Sequence, residues 1–108
     1  MIKQLLTASA IPARAGLFPD PPKTTYAIYF DDVTATGADP GQGPDAPYVY
    51  RHDGMIELYE PTPDPAAEAR LEAQLRARGL SWTKQGWHWL EGIRRGQVIY
   101  EFSIISKS

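Results

Sequence analysis

The sequence predicts an α+β domain, with two helices packed on one face of a mainly antiparallel sheet. The first observation is a helix signal across residues 63–80, where a capping residue, an apolar stripe and a terminating glycine agree. The second is a period-two alternation of apolar side chains in residues 55–60 and 97–105, which is typical of half-buried strands. A helix with one apolar stripe and strands with one apolar face can share a single core.

The composition is that of an ordinary globular domain. The chain has 108 residues, 43% hydrophobic and 22% charged, so we expect one domain over residues 1–108. A net charge of −2 gives no electrostatic footprint for nucleic acid or for an anionic membrane. The chain has no cysteine, which excludes disulfides, a thiol nucleophile and most structural zinc sites. No segment reaches transmembrane length, so we expect no membrane partner.

The first thirty residues contain a short helix and two strand signals. Residues 2–9 place Ile2, Leu5 and Leu6 at helical spacing, and so short a helix must dock on the sheet to be stable. Residues 13–18 suit a short edge strand. Two prolines then favour an extended entry into residues 24–30, which are rich in aromatic and β-branched side chains and predict a strand.

Residues 31–47 are rich in glycine, proline and aspartate, and we interpret them as a flexible loop or a strand extension. Such a loop is a candidate partner-contact segment. Its acids match no EF-hand spacing, so a solvated acidic loop is favoured over a calcium site, and we predict no metal or cofactor. The candidate contact residues are Asp31, Asp32, Asp39 and Asp45.

Residues 48–60 resume the sheet. Asp53-Gly54 could form a hairpin turn, but the two resulting pieces would be too short to hold a register. We therefore predict one long strand with a bulge at Gly54.

The helix that follows carries its own start and stop signals. Asp64 is a predicted N-cap, and Pro65 occupies the first helical position, where its missing N–H costs nothing. Gly79 is suited to the left-handed residue that ends a helix, with Leu80 folding back on the last turn. The buried stripe is predicted to consist of Ala67, Leu71 and Leu75.

The rest of the chain predicts a hairpin and a last strand. Residues 81–84 and 87–90 would pair across a turn at Gln85-Gly86, with Trp87 and Trp89 on one face. The last strand, residues 97–105, follows.

No set of catalytic residues emerges. His52 and Asp53 are neighbours on a predicted strand, so their side chains point to opposite faces and cannot form a catalytic dyad. The nucleophile motif Gly-x-Ser-x-Gly is missing. We therefore expect a protein that is not an enzyme.

The sheet face away from the helices is the most informative surface. It mixes aromatic and acidic side chains, a composition that suits protein contacts as well as it suits a solvated antiparallel face. The residues assigned to it are Tyr29, Glu57, Tyr59, Ile99 and Glu101.

The ordered combination of these segments resembles the tail terminator, or tail completion, proteins of long-tailed bacteriophages and prophages. The likeness runs from the first helix to the last strand, and it departs from the family pattern in the proline- and glycine-rich stretch between Asp39 and Tyr48. The segments that carry it are Ala27-Ile-Tyr-Phe30, Gly37-Ala-Asp39, Ile56-Glu-Leu-Tyr-Glu60, Pro63-Asp-Pro65 with Glu68 and Leu71, Gly79-Leu-Ser-Trp82 and Gln97-Val-Ile-Tyr-Glu-Phe102.

This resemblance implies a non-enzymatic virion protein, assembled in the host bacterial cytoplasm. It would form a homo-oligomeric ring, usually six-fold, that caps the tail tube, stops its growth and joins it to the head connector. DNA would pass through the ring without specific binding. We expect the face with Glu57 and Glu101 to line the bore, and the competing interpretation places it in a subunit contact. A head-closure or other neck component, and a small monomeric ligand-binding or regulatory module, are the alternatives.

Overall fold

A five-stranded sheet with two helices forms the domain. The computed structural model describes residues 2–38 and 48–107. The strand order is β1-β2-β3-β5-β4; β1 is parallel to β2, and the other pairs are antiparallel. This is the α+β architecture that the sequence predicts. The elements are α1 Ile2–Ala8, β1 Ala13–Ala15, β2 Tyr26–Ala38, β3 Tyr48–Glu60, α2 Pro65–Ala77, β4 Trp82–Leu90 and β5 Arg95–Lys107.

Both helices contribute to one core on the same face of the sheet. Leu5 of α1 and Leu71 of α2 are fully buried with Leu58 of β3 and Val98 of β5. A hydrogen bond from Arg70 Nε to the Ser9 carbonyl, 2.9 Å long, ties the two helices together. Neither helix is long and apolar enough to cross a membrane, among the residues that the structure describes.

The termini of α2 have the geometry that the sequence predicts. The Asp64 carboxylate accepts a hydrogen bond from the Ala67 N–H, as an N-cap does. Gly79 has φ of 69°, and the Leu80 N–H donates to the Leu75 carbonyl, which together form the predicted glycine-ended motif. Ala67, Leu71 and Leu75 are fully buried.

Of the two interpretations of residues 31–47, a flexible loop or a strand extension, the structure confirms the strand extension for residues 31–38 and contradicts the loop there. Residues 31–38 belong to β2 and pair with residues 48–54 of β3, with a register shift between Ala35 and Gly37. Backbone pairing with β3 continues the strand here, although the segment itself has few large apolar side chains. Residues 39–47, which include Asp39 and Asp45, lie outside the described residues.

Gly54 does not form a bulge. The pairing of β3 with β2 and with β5 continues through it without interruption, as part of one long strand. A Cβ atom at Gly54 would overlap with the ring of Phe102, its partner on β5. The glycine therefore serves close packing and not a change of register.

The predicted turn at Gln85-Gly86 is also absent. β4 runs from Trp82 to Leu90 as one strand, and a bulge leaves Gly86 and Trp87 opposite Val98 alone. The chain instead reverses at residues 91–94, where Arg94 adopts φ of 54°. The glycine signal at Gly86 marks the bulge, which is the other common role of a glycine in a strand.

Candidate functional site: the open face of the sheet

The strand register arranges the side chains opposite the helices in four cross-strand rows. We call this surface the open face. Adjacent strands bring these side chains together because residues paired across a sheet point to the same side. The rows are Tyr26–Tyr59–Gln97–His88, Arg14–Ile28–Glu57–Ile99–Gln85, Phe30–Met55–Glu101–Thr83 and Asp32–Asp53–Ser103.

Tyr29 does not belong to the open face, so its assignment there is wrong. It pairs with Ile56 and packs against the core under the helices. The antiparallel register sets Ile28, and not Tyr29, beside Glu57. A shift of one residue between two strands moves a side chain to the other face, and such a shift is invisible without the register. Glu57, Tyr59, Ile99 and Glu101 do lie on the open face.

Part of the open face is covered after all, at the row that contains Tyr59. The Tyr59 ring stacks on Tyr26 with centroids 5.2 Å apart, and Phe18 meets Tyr26 edge-on at 5.3 Å. The guanidinium of Arg95 lies 5.2 Å from the Tyr26 centroid and donates to the carbonyls of Pro22 and Thr24. The segment before β2 thus folds over this end of the sheet, and Tyr59 is only 8% exposed.

The Tyr59 hydroxyl connects the covered row to the first acid. It donates to Glu57 Oε1 over 3.0 Å and accepts from Gln97 Nε2 over 3.1 Å. Burial, together with the nearby Glu57 carboxylate, raises the pKa of Tyr59 to about 12. The hydroxyl therefore stays protonated and holds Glu57 in place without offering a base or a nucleophile.

The two central rows carry an apolar band that no other part of the described chain covers. The band consists of Ile28, Phe30, Met55 and Ile99; Phe30 is 43% exposed and the other three are half-buried. Glu57 and Glu101 interrupt it. Apolar side chains grouped on an accessible surface are a common feature of contact surfaces.

A groove of about 610 Å³ lies over the last two rows. Phe30 and Met55 supply its apolar wall, and Asp32 and Glu101 its acidic rim. Asp53 accepts hydrogen bonds from Ser103 and from Arg51 Nε, the latter 2.8 Å long. These two bonds, Ser103 first, hold the pKa of Asp53 below its ordinary value, so its carboxylate is charged at neutral pH.

The acids proposed as a partner-contact segment are divided between the two sides of β2. Asp31 and Asp32 are both exposed; Asp32 pairs with Asp53 on the open face, and Asp31 pairs with Gly54. Nowhere in residues 2–38 and 48–107 do three metal-binding side chains come together.

A polar cluster between α2 and the sheet was missed by the sequence reasoning. Lys84 Nζ lies 2.8 Å from both Glu68 Oε1 and Glu72 Oε2, and the Tyr100 hydroxyl donates to Glu72 over 2.7 Å. Burial works against the charge of Glu72, but the bonds from Lys84 and Tyr100 outweigh it and lower its pKa. Burial and Glu72 also raise the pKa of Tyr100. The cluster holds its charges in fixed pairs, so we assign it a structural role.

Glu60 is the buried acid next to this cluster. It is fully buried, accepts a 3.0 Å hydrogen bond from the Asp64 N–H through Oε1, and its Oε2 atom has no hydrogen-bond partner among the described residues. Burial, and then the neighbouring Glu68 carboxylate, raise the pKa of Glu60 to about 7. The alternation Ile56–Leu58–Glu60 is the sequence signal that could have placed Glu60 on the core face.

Two of the three tryptophans of β4, Trp87 and Trp89, lie together on one face, as predicted, and both are exposed. The rings of Trp87 and Trp89 are 6.1 Å apart, and Trp89 Nε1 donates to Glu91 over 2.6 Å. A Cβ atom at Gly96 would overlap with the Trp87 ring, so the glycine gives that ring its place against the sheet.

No protein-family model matches the sequence, and no curated protein matches it significantly.

Proposed function

We propose that this chain is the subunit of a closed homo-oligomeric ring in the neck of a long-tailed bacteriophage or prophage, where it acts as the tail terminator. In that role the ring ends the growth of the tail tube at its head-proximal end and joins it to the head connector. The resemblance of the ordered sequence segments to that family supports the proposal. So does the α+β fold, because both helices lie on one side of the sheet and leave the central rows of the other side accessible.

The observation that carries the proposal is the apolar band on the open face. On the other side of the sheet, the core already buries the apolar side chains of both helices, so the band is not needed to stabilise the monomer. Ile28, Phe30, Met55 and Ile99 would gain most by being removed from water in an assembly. A two-layer domain with two unlike sides suits the heterologous contacts from which a ring closes.

The acids on the same face are compatible with a neck ring in two ways. If the open face lined the bore, Glu57 and Glu101 would keep the passing DNA from adhering, because phosphate contacts by cations would add affinity. If it lay between subunits, each carboxylate would need a cationic partner. The apolar band favours the second arrangement.

A small ligand-binding module is the second candidate, and the groove is the observation that favours it. Its volume of about 610 Å³ falls in the range of small-molecule sites. A neck protein other than the terminator would differ only in its position in the virion.

The mass of the purified protein in solution tests the class of function. A ring subunit should form a species whose mass, by native mass spectrometry, is a single multiple of the 12.0 kDa chain and most often six-fold. A monomer at high concentration would exclude the ring and favour the ligand-binding module.

Deletion of the gene in an inducible prophage tests the role itself. The expected particles are tails of irregular, excessive length that are not joined to filled heads, and supply of the gene in trans should restore both features. Tails of normal length that fail only to join heads would point to head closure.

A further inference from the structure

The outer surface of α2 is apolar but small. Four alanines lie at spacings of three and four residues and are all exposed, so they form one stripe directly opposite the buried side of the helix. Exposed helix faces in solvent usually carry long polar side chains along their centre. The members of this alanine stripe are Ala66, Ala69, Ala73 and Ala77.

Positive charges flank the alanine stripe. Arg70 and Arg76 are exposed on its two sides. Arg70 Nε donates to the Ser9 carbonyl, and the Arg76 guanidinium lies 5.7 Å from the centre of the Trp82 ring. The two acids of the helix, Glu68 and Glu72, are half-buried on its side towards β4, where both bind Lys84. The outer surface of α2 is therefore a flat apolar strip with a cationic border.

The open face has the opposite character. Four carboxylates border or interrupt its apolar band, those of Asp32, Asp53, Glu57 and Glu101. The cations of this face lie at its margins: Arg51 is paired with Asp53, Arg14 lies beside Ile28 at the β1 edge, and Arg95 is held over the Tyr26 ring. In a contact between the two surfaces, the alanine stripe would face the apolar band, and the arginines beside the stripe would face the carboxylates.

We propose that α2 of one copy packs into the open face of the next copy, with the alanine stripe on the apolar band and the arginines beside Glu57 and Glu101. This inference rests on the proposed ring and names the contact that closes it. The partner is a second copy of this chain because the two complementary surfaces belong to the same molecule. They lie on opposite sides of it, so the contact is head-to-tail and can repeat around a ring.

The dimensions fit. A helix of 13 residues is about 20 Å long, and four neighbouring strands extend over about 15 Å between their outer axes. Alanine side chains let the helix backbone approach a flat sheet closely. Each subunit would then contribute one sheet covered by helices on both faces, its own and its neighbour's. DNA in the bore would meet a different surface from the one that carries Glu57 and Glu101.

Cysteine crosslinking tests the contact, because the natural chain contains no cysteine. The double variant Ala73→Cys with Glu101→Cys places one thiol on each surface, at exposed positions that the fold tolerates. Treatment with a short bis-maleimide should give a ladder of covalent multimers on a denaturing gel, ending at the ring number. Each single variant should give no ladder. The control pair, Ala73→Cys with Ile93→Cys, keeps the helix thiol and moves the other to the turn after β4, and it should give no ladder.

Charge exchange gives an independent reading of the same contact. Glu57→Lys with Glu101→Lys should shift the ring to monomers, and Arg76→Glu should do the same while leaving the bond from Arg70 to Ser9 in place. All three changes in one chain should restore the ring, because opposite charges face each other again.

The outcomes separate this contact from the ring itself. A native ring without a ladder from positions 73 and 101 would overturn the contact and leave the ring standing. If either single variant formed crosslinked dimers efficiently and nothing larger, the interface would be two-fold, and this result would also overturn the proposed contact. A protein that is monomeric at all concentrations would overturn both the contact and the proposed function.

Discussion

The ring of Phe102 lies over the backbone of Gly54, its cross-strand partner on the helix-covered face of the sheet. Phe102 is 5% exposed and belongs to the core. Gly54 precedes the first core side chain of β3, Ile56, on the same face of the strand. Because it has no side chain, the Phe102 ring can occupy the space above it. No turn, bulge or positive φ is involved at this position. The requirement for glycine here is one of volume.

Gly54→Ala should therefore destabilise the domain by about 1–3 kcal/mol, because the added methyl group forces Phe102 out of its rotamer or its position. Urea unfolding followed by tryptophan fluorescence measures the change. Gly86→Ala is the matched control, since a Cβ atom there meets nothing within 4 Å. We expect Phe102→Leu to cost less in the Gly54→Ala background than in the natural chain. Equal costs in the two backgrounds would contradict the proposed overlap.

The same pair shows what sequence could and could not predict. The boundaries of α2 were predictable because their signals are local: Asp64, Pro65 and Gly79 act within one turn of the helix. The space at Gly54 is set by a residue on another strand, so a glycine could be recognised as special there while its role was mistaken for a bulge. The turn at Gln85-Gly86 was misplaced for a related reason, because a turn and a bulge use the same glycine.

The residues of the candidate site were likewise predictable where the signal is local and not where it depends on a second segment. Alternation along each strand correctly placed Glu57 and Tyr59 on one face, and likewise Ile99 and Glu101. Combining β2 with these strands needed the register, which is a property of two segments, and Tyr29 was therefore misassigned in place of Ile28. The cover over Tyr59 depends on Phe18 and Arg95, which are distant in sequence from it and carry no motif.

Leu71→Ala should destabilise the domain by about 2–5 kcal/mol through lost burial and the cavity that remains. Leu71 is fully buried between α2 and the sheet, so both terms apply. The chain offers a matched control in Leu17→Ala, the same substitution at a side chain that is 68% exposed, which we expect to change stability by less than about 0.5 kcal/mol. Chemical denaturation of both variants measures the difference. Similar costs at the two positions would show that α2 is not part of the core.

Asp64→Ala should cost about 0.5–2 kcal/mol by uncapping α2, with a further loss because the Thr25 hydroxyl forfeits its 2.6 Å bond to Asp64 Oδ2. Asp64→Asn keeps an acceptor for the Ala67 N–H and should cost less. The Thr25 bond, followed by the Ala67 N–H and the charge of Arg70, holds the Asp64 pKa below its ordinary value.

Because the pKa of Asp64 is lowered in the folded chain, the effect of the substitution should depend on pH. The stabilisation from ionised Asp64 is present above the unfolded pKa of about 4 and is lost as the pH falls through the lower folded value. The advantage of the natural chain over Asp64→Asn should therefore shrink in acid. An advantage that grows below pH 4 would contradict the assigned hydrogen bonds.

Glu60→Gln should stabilise the domain at pH 8 and have little effect or the opposite effect at pH 4. The pKa of Glu60 is raised to about 7 in the folded chain by burial and by Glu68, so the folded state binds more protons than the unfolded state between about pH 4.5 and pH 7. The contribution of protonated Glu60 is thus complete below the unfolded pKa and is lost as the pH rises through 7. Above that pH a charge stays buried, with no partner for its Oε2 atom among the described residues.

Glutamine keeps an acceptor for the Asp64 N–H and offers Glu68 an N–H donor, but it has no charge to bury. At pH 8 we expect it to raise the free energy of unfolding by on the order of 1–3 kcal/mol, since one unit of pKa shift corresponds to about 1.4 kcal/mol. Urea unfolding at pH 4, 6 and 8 follows the change, and Glu101→Gln, the same substitution at an exposed side chain, is the control. If Glu60→Gln lowered stability equally at all three values, Glu60 would be ionised and satisfied in the fold, and the buried proton would have to be assigned to another group.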